Sequence, residues 1–252
     1  MASVYETRKA LNEYLFFHYG DPQAGMPGKL DLQIDNFPRQ CVKDCIDTEK
    51  LANRQTRALD LGCAVGRGSF ELSRICTEVV GIDLSQSFIE AAQAIQKDRK
   101  VEFPVVEEGR VVSTHVYCLP NDIEPSRVQF MCGDAHDLPD TIGTFDVVLM
   151  INLIDRLGDP YKVLTNLSNL LKPGGQLVIA SPYTWLSEFT PSENWLGGFY
   201  REGEAVRTLD TLRRILESDF AMRSVIDLPF LIREHVRKYQ LGISQATCWI
   251  KL

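Results

Sequence analysis

No apolar run in this chain is long enough to cross a membrane; the longest are of strand length, which argues against a helical span. The amino terminus, Met1-Ala2-Ser3-Val4-Tyr5-Glu6, lacks the basic and apolar regions of a secretion signal. Positive charge is in deficit. With 27 Lys and Arg against 34 Asp and Glu the net charge is −7, so a nucleic-acid backbone is not an expected partner. Histidine is scarce, at four scattered residues, and the seven cysteines form no CxxC pair and no paired framework. Cys41 and Cys45 share a helix face, but no histidine stands at ligand spacing from them. Free thiols in a reducing cytoplasm, with no metal, are the expectation. Also missing are a G-x-G-x-x-G turn and a Tyr-x-x-x-Lys pair, which removes a nicotinamide oxidoreductase.

What is present begins at Ala58-Leu59-Asp60-Leu61-Gly62-Cys63-Ala64-Val65-Gly66-Arg67-Gly68. An alternating apolar run ends in closely spaced glycines, and Ser69-Phe70-Glu71-Leu72 then starts a helical pattern. The spacing predicts a strand, a tight turn and a helix presenting its positive end. Gly62 and Gly66 let backbone approach a ligand where a Cβ would collide. Asp60, two residues before the first glycine, can accept from a ligand ammonium group. Glu78-Val79-Val80-Gly81-Ile82-Asp83 reads as a second strand closing on a carboxylate suited to a ribose diol. These features point to a nucleoside-bearing small molecule.

At 252 residues, 44% apolar and 24% charged, the chain has the composition of one large α/β domain with a full core. Residues 1–54 read as an amino-terminal helical cap with helices at 4–20 and about 39–52, separated by the Gly/Pro-rich loop Gly25-Met26-Pro27-Gly28. Residues 55–252 read as the core. Its third strand, Val128–Cys132, ends in Gly133-Asp134-Ala135, and its fourth, Phe145–Ile151, ends in Asn152-Leu153-Ile154-Asp155-Arg156. After Ser85–Gln96, a helix capped by Ser85, two β-rich runs around Gly109 predict an inserted hairpin at about 101–117. A helix at 159–171 leads through Lys172-Pro173-Gly174-Gly175 to strand five. The aromatic and acidic stretch at about 181–200 has the length of a lid over the strand ends. After a helix at about 208–218, runs at 223–230 and 242–251 close the sheet. The mixed-sign stretch 233–238 between them reads as a solvated connection.

The order D-x-G-C-A-x-G, followed by an acidic residue closing the next strand, resembles motif I and its sequel in class I S-adenosylmethionine-dependent methyltransferases, over roughly residues 55–251. The resemblance implies a doubly wound, mostly parallel seven-stranded sheet. Adding Tyr5-Glu6-Thr7, Glu13-Tyr14-Leu15-Phe16-Phe17-His18-Tyr19-Gly20, Ser181-Pro182-Tyr183-Thr184-Trp185 and Glu193-Asn194-Trp195-Leu196-Gly197-Gly198, the chain resembles the 4-mercaptohistidine N1-methyltransferase family of ovothiol biosynthesis. That family occurs behind a sulfoxide synthase domain and as separate chains, so association or fusion with such a domain is implied. The resemblance implies S-adenosylmethionine as cofactor, S-adenosylhomocysteine as product and a small thiol-histidine as acceptor.

On this reading Asp60, Gly62, Cys63, Ala64 and Gly66 hold the methionine end, and Asp83 with Ser85 takes the ribose. Leu84, Gly133, Asp134 and Ala135 hold the adenine, and Asn152 sits near the sulfonium. His18, Asp155 or Glu193 could serve as a base. Arg39, Arg67 or Arg156 could take the substrate carboxylate. Tyr14, Tyr19, Tyr183, Trp185 and Trp195 would wall the acceptor. The competing expectations are a class I methyltransferase for another small acceptor and a cofactor-binding module without chemistry.

Overall fold

The computed structural model describes residues 5–21, 23–24, 26 and 34–252. The amino-terminal part supplies α1 (Arg8–Tyr19) and α2 (Phe37–Cys45). The core then alternates β1 (Arg57–Leu61), α3 (Arg67–Leu72), β2 (Glu78–Asp83) and α4 (Gln86–Asp98). An antiparallel pair follows, β3 (Lys100–Glu108) and β4 (Val111–Cys118), then β5 (Val128–Cys132) and β6 (Phe145–Ile151). Next come α5 (Pro160–Leu170), β7 (Leu171–Ser181), a small pair β8 (Phe199–Arg201) and β9 (Glu204–Val206), and α6 (Thr208–Leu216). The long strands β10 (Phe220–His235) and β11 (Lys238–Lys251) close the chain.

Seven strands form one sheet in the order β10-β11-β7-β6-β1-β2-β5. From β7 through β5 every pairing is parallel; β11 alone runs against its neighbours β7 and β10. Strand β6 is buried along nearly its whole length because helices cover both faces of the sheet. On one face α1–α4 enclose a core around Phe37, Phe70, Phe88 and Phe103. On the other, α5 and α6 enclose a core around Phe145, Leu164, Leu212 and Trp249. The order reverses between β1 and β6, and in such sheets the crevice beyond that switch point is where ligands bind.

Several boundaries differ from the sequence reading. Helix α1 begins at Arg8, because Thr7 caps it by accepting from Ala10 N at 3.1 Å. Helix α2 is shorter than 39–52. Asn36 caps it, Pro38 sits in the first turn where its missing N–H costs nothing, and the chain leaves the helix after Cys45. Residues Gly25, Pro27 and Gly28 of the expected loop lie outside the described residues. Helix α3, expected to present a positive end, has only six residues.

The stretch 181–200 is not an open lid. Trp185 and Trp195 stack at 6.5 Å; Trp185 Nε1 donates to Thr208 Oγ1 at 3.0 Å and Trp195 Nε1 to the Thr190 carbonyl at 2.8 Å. Thr190 and Asn194 in turn bond the Leu157 and Gly158 carbonyls. Both indoles therefore spend their polar edges internally, on the α5/α6 side. Residues 234–238 are the partly to fully exposed connection expected, but Arg233 is not part of it. Arg233 lies in β10, 8% exposed, over the Phe16 ring, and donates to the Ala24 carbonyl and to Glu107 of β3. It ties the terminal hairpin to the inserted one.

Candidate active site

The glycine turn hangs on the end of β2. Gly62 N and Cys63 N both donate to the Ile82 carbonyl, at 2.8 and 3.0 Å, and Gly66 N returns to the Cys63 carbonyl at 2.9 Å. Gly62 and Gly66 have φ of +79° and +88°. A Cβ on Gly66 would stand 2.6 Å from the Phe130 ring, so backbone freedom and space both demand glycine there. Cys63 is buried, its thiol pushed up by desolvation. Tyr19 supports the turn from the cap, its hydroxyl donating to the Val65 carbonyl at 2.7 Å.

Asp83 faces the turn from the neighbouring strand end. One carboxylate oxygen accepts from Ala64 N at 2.8 Å and the other from Ser85 N at 2.9 Å. Burial raises its pKa, and these backbone donors oppose the rise. Each oxygen keeps a lone pair for a diol. Beside it Leu84 is 46% exposed, an apolar wall at a strand end. At the adjacent end of β5, Asp134 accepts from His136 N at 2.9 Å and lies 2.7 Å from its ring. Burial alone would raise Asp134, but these contacts outweigh it and hold the carboxylate low. His136 accepts in turn from Asp159 N. The turn, the diol-sized carboxylate and the adjoining apolar wall fit an adenosyl group carrying an amino-acid arm.

Asp60 takes a different place from the one expected. It is 2% exposed beneath the turn, Ser69 Oγ donates to it at 2.7 Å, and a Cβ on Gly68 would meet it at 2.8 Å. Desolvation pushes its pKa up to about 7 against the Ser69 hydrogen bond. It braces the turn from below rather than offering an exposed acceptor for an ammonium group.

The cap packs beside these strand ends. Ser87 Oγ donates to the Tyr5 carbonyl and Ser87 N to Glu6, so the segment before α1 is pinned to the start of α4. Tyr5 packs on Tyr14, Phe88 and Phe189, and Tyr14 on Phe88 at 4.7 Å. Burial raises both tyrosines, leaving neutral hydroxyls. His18, one turn on from Tyr14, is buried with no partner on Nδ1, and desolvation beside the Arg67 charge drives its pKa down to about 3. It is a neutral imidazole, not a poised base.

The other base candidates are also engaged or remote. Asp155 is fully buried and accepts from Ser181 Oγ, Thr184 N and Arg156 at 3.0–3.1 Å. Glu193 is exposed, and Ser192 donates to it at 3.5 Å. Among the guanidinium candidates, Arg67 is 5% exposed, salt-bridged to Glu71 at 2.8 Å and bonded to Tyr117. Arg39 is half exposed on α2 with Asp35 at 3.7 Å. Arg156 alone of the three reaches the strand ends, over the Phe189 ring, donating to Asp155 and the Thr184 carbonyl. Tyr19, Trp185 and Trp195, expected as acceptor walls, are packed as described.

Two residues of β11 enter without having been foreseen. Ser244 Oγ donates to Asn152 Oδ1 at 2.7 Å, and Tyr183 Oη donates to Gln245 Oε1 at 3.1 Å. Asn152 and Tyr183 have φ of +50° and +55°, as Ala64 has +48°. Three non-glycine residues in the left-handed region thus stand just beyond β1, β6 and β7. Such strain collects at functional sites.

Comparison with known proteins agrees with the fold. The fold is that of the class I methyltransferases. More particularly, residues 59–179 match the family Methyltransf_11, described as a methyltransferase domain. The chain is similar to the ubiquinone biosynthesis O-methyltransferase of Coxiella burnetii, 22% identical over 133 residues, covering 53% of this chain and 46% of that enzyme. It is similar to the norajmaline N-methyltransferase of Rauvolfia serpentina, 30% identical over 124 residues, covering 49% and 35%. The chain therefore spans less than half the length of these curated relatives. Among solved structures, the magnesium protoporphyrin IX methyltransferase of Synechocystis PCC 6803, solved with bound S-adenosylmethionine, superposes with a TM-score of 0.56 at 15% identity, covering 100% of this chain and 95% of that one. Fold and domain match agree on a methyltransferase-type fold for the core of the chain. Among the described residues no helix is long and apolar enough to span a membrane, and no His/Cys/Asp/Glu group is placed to hold a metal ion.

Proposed function

We propose that this protein transfers a methyl group from S-adenosylmethionine to a ring nitrogen of 4-mercaptohistidine. The observation that carries the reading is a cofactor cradle beside three base candidates, each of which, among the described residues, is neutral, engaged or exposed to solvent. His18 is neutral and pushed down to about 3, the buried Asp155 carboxylate already accepts from three donors, and Glu193 lies in solvent. Most nitrogen acceptors arrive protonated and need a base. A mercaptoimidazole is different: its thiolate–imidazolium form can give its ring proton to solvent before it binds, and the anion that then enters carries a thiolate and one unprotonated ring nitrogen.

Bound S-adenosylmethionine supplies an electrophilic methyl group whose bonding pair returns to the donor sulfur. The nitrogen lone pair forms the new N–C bond, and the thiolate charge cancels the positive charge that arrives, so no proton has to leave. The protein's part is then alignment and exclusion of water. Gly62–Gly66 and Asp83 would hold the cofactor, with Leu84 and Asp134 at the adenine. Tyr5, Tyr14 and Phe88 cover the crevice and keep water out. Arg156, with part of its guanidinium exposed, is the cation for the amino-acid carboxylate. A cytoplasmic setting, and association with a domain that makes the thiol substrate, belong to the same proposal.

The test is turnover of purified protein with S-adenosylmethionine and 4-mercaptohistidine, read by fragmentation mass spectrometry, with histidine and a plain alkyl thiol alongside. Methyl on the ring nitrogen of mercaptohistidine alone is the expected result. No product, with cofactor binding intact by calorimetry, would sink the substrate assignment and leave a methyltransferase for another small acceptor.

A further inference from the structure

An acceptor carrying both a thiolate and a ring nitrogen poses a selectivity problem, since sulfur is the better nucleophile. The device that solves it must grip the sulfur. At the centre of the sheet's carboxyl edge, Asn152 follows the last residue of β6 with its backbone in the left-handed region and its N–H on the Ala180 carbonyl at 2.7 Å. Ser244, fully buried on β11, donates its hydroxyl to Asn152 Oδ1 at 2.7 Å. With Ser244 as donor, the carboxamide is held with its oxygen toward β11. The amide nitrogen then lies on the side away from Ser244. It has no hydrogen-bond partner among the described residues, and Asn152 is half-buried.

An N–H pair presents its positive ends, which repel a sulfonium and attract an anion. Asn152 is therefore poorly suited to contact the cofactor's charged sulfur and well suited to a thiolate. We propose that Ser244 is a positioning residue: by holding the Asn152 oxygen it turns the amide N–H pair onto the acceptor's thiolate, pinning sulfur and leaving the ring nitrogen in line with the methyl group. The inference rests on the thiol-imidazole reading above. It identifies the carboxyl-terminal hairpin as part of the acceptor site.

The experiment compares wild type with Ser244→Ala, Asn152→Gly, Asn152→Asp and Ser244→Thr. Glycine accepts the left-handed backbone without strain, so Asn152→Gly carries the test even if Ser244→Ala fails to fold. 4-Mercaptohistidine is titrated calorimetrically into protein saturated with S-adenosylhomocysteine, and products are sorted into N-methyl and S-methyl. Loss of a charge-assisted hydrogen bond should weaken mercaptohistidine binding about tenfold or more in Ser244→Ala and Asn152→Gly. Asn152→Asp should bind it least, S-methyl product should appear in the variants, and Ser244→Thr should restore wild-type behaviour. S-adenosylhomocysteine affinity should stay within about threefold, less than one net hydrogen bond. Unchanged mercaptohistidine affinity with product still wholly N-methylated would overturn the proposal. So would an equal loss of S-adenosylhomocysteine affinity, which would give Asn152 to the cofactor. If wild type neither binds nor methylates mercaptohistidine, the functional reading itself falls and this inference with it.

Discussion

Asp83 is one carboxylate with two backbone N–H donors and two lone pairs left over, one on each oxygen. Asp83→Asn would set an amide N–H₂ against one of those donors and halve the acceptor capacity. Its S-adenosylmethionine affinity should fall about 10- to 100-fold by calorimetry, the span expected for a hydrogen-bonded charge. Asp60 and His18 bear on stability instead, with opposite signs. The Asp60 carboxyl is pushed up to about 7, against roughly 3.9 in an unfolded chain. Between those values the folded state keeps a proton the unfolded state has lost, so stability falls as pH rises from about 4 to about 7. His18 is held down to about 3, against roughly 6.5 unfolded, so stability falls as pH drops below about 6.5. The windows overlap and partly cancel in the wild type. Urea unfolding across pH 4–8 should therefore find Asp60→Asn losing stability toward acid more steeply than wild type. His18→Gln should instead gain stability toward acid.

At the scale of elements, the core strands were legible because buried parallel strands announce themselves as apolar runs. Phe145–Ile151 and Gln176–Ala180 could hardly be anything else. The glycine turn and Asp83 were legible because each needs a residue type that nothing else replaces. Fates of polar and aromatic side chains were not. Arg67, Arg233, Trp185 and Trp195 are types that serve binding sites and buried structural clusters equally well, and only their partners decide between the two. Ser244 could not be found from sequence, since its meaning lies in a contact to Asn152 across 92 positions. The 181–200 segment follows the same logic. Trp185→Ala would remove a large buried ring and orphan the Thr208 hydroxyl, costing about 3–5 kcal/mol of unfolding free energy. Chemical denaturation checks this. A mobile lid would give almost none of that loss. Gly66→Ala should cost about 1–3 kcal/mol through its left-handed backbone and the Phe130 ring.

For the molecule as a whole, the cap is pinned to α4 beside the candidate cofactor site, and Arg233 ties the two hairpins together, so ligand binding should report on global stability. At a concentration near 100 times its Kd, S-adenosylhomocysteine should stabilise the fold by about 2.7 kcal/mol. For a chain of this size that is a rise in Tm of roughly 5–10 °C, measurable by differential scanning fluorimetry. Histidine added alone should shift it little. An absent shift with S-adenosylhomocysteine would count against the cradle.

The three left-handed residues Ala64, Asn152 and Tyr183 have a consequence for anyone breeding a hardier version of this protein. Each is a place where glycine would relax the main chain, and a screen rewarding only heat resistance should enrich such changes. All three lie on the rim of the crevice. Glycine at Ala64 would loosen the loop that Asp83 grips, and at Asn152 or Tyr183 it would erase a side chain held by the terminal hairpin. Survivors of that screen should be sturdier and slower, and the sites where the trade is made can be named in advance.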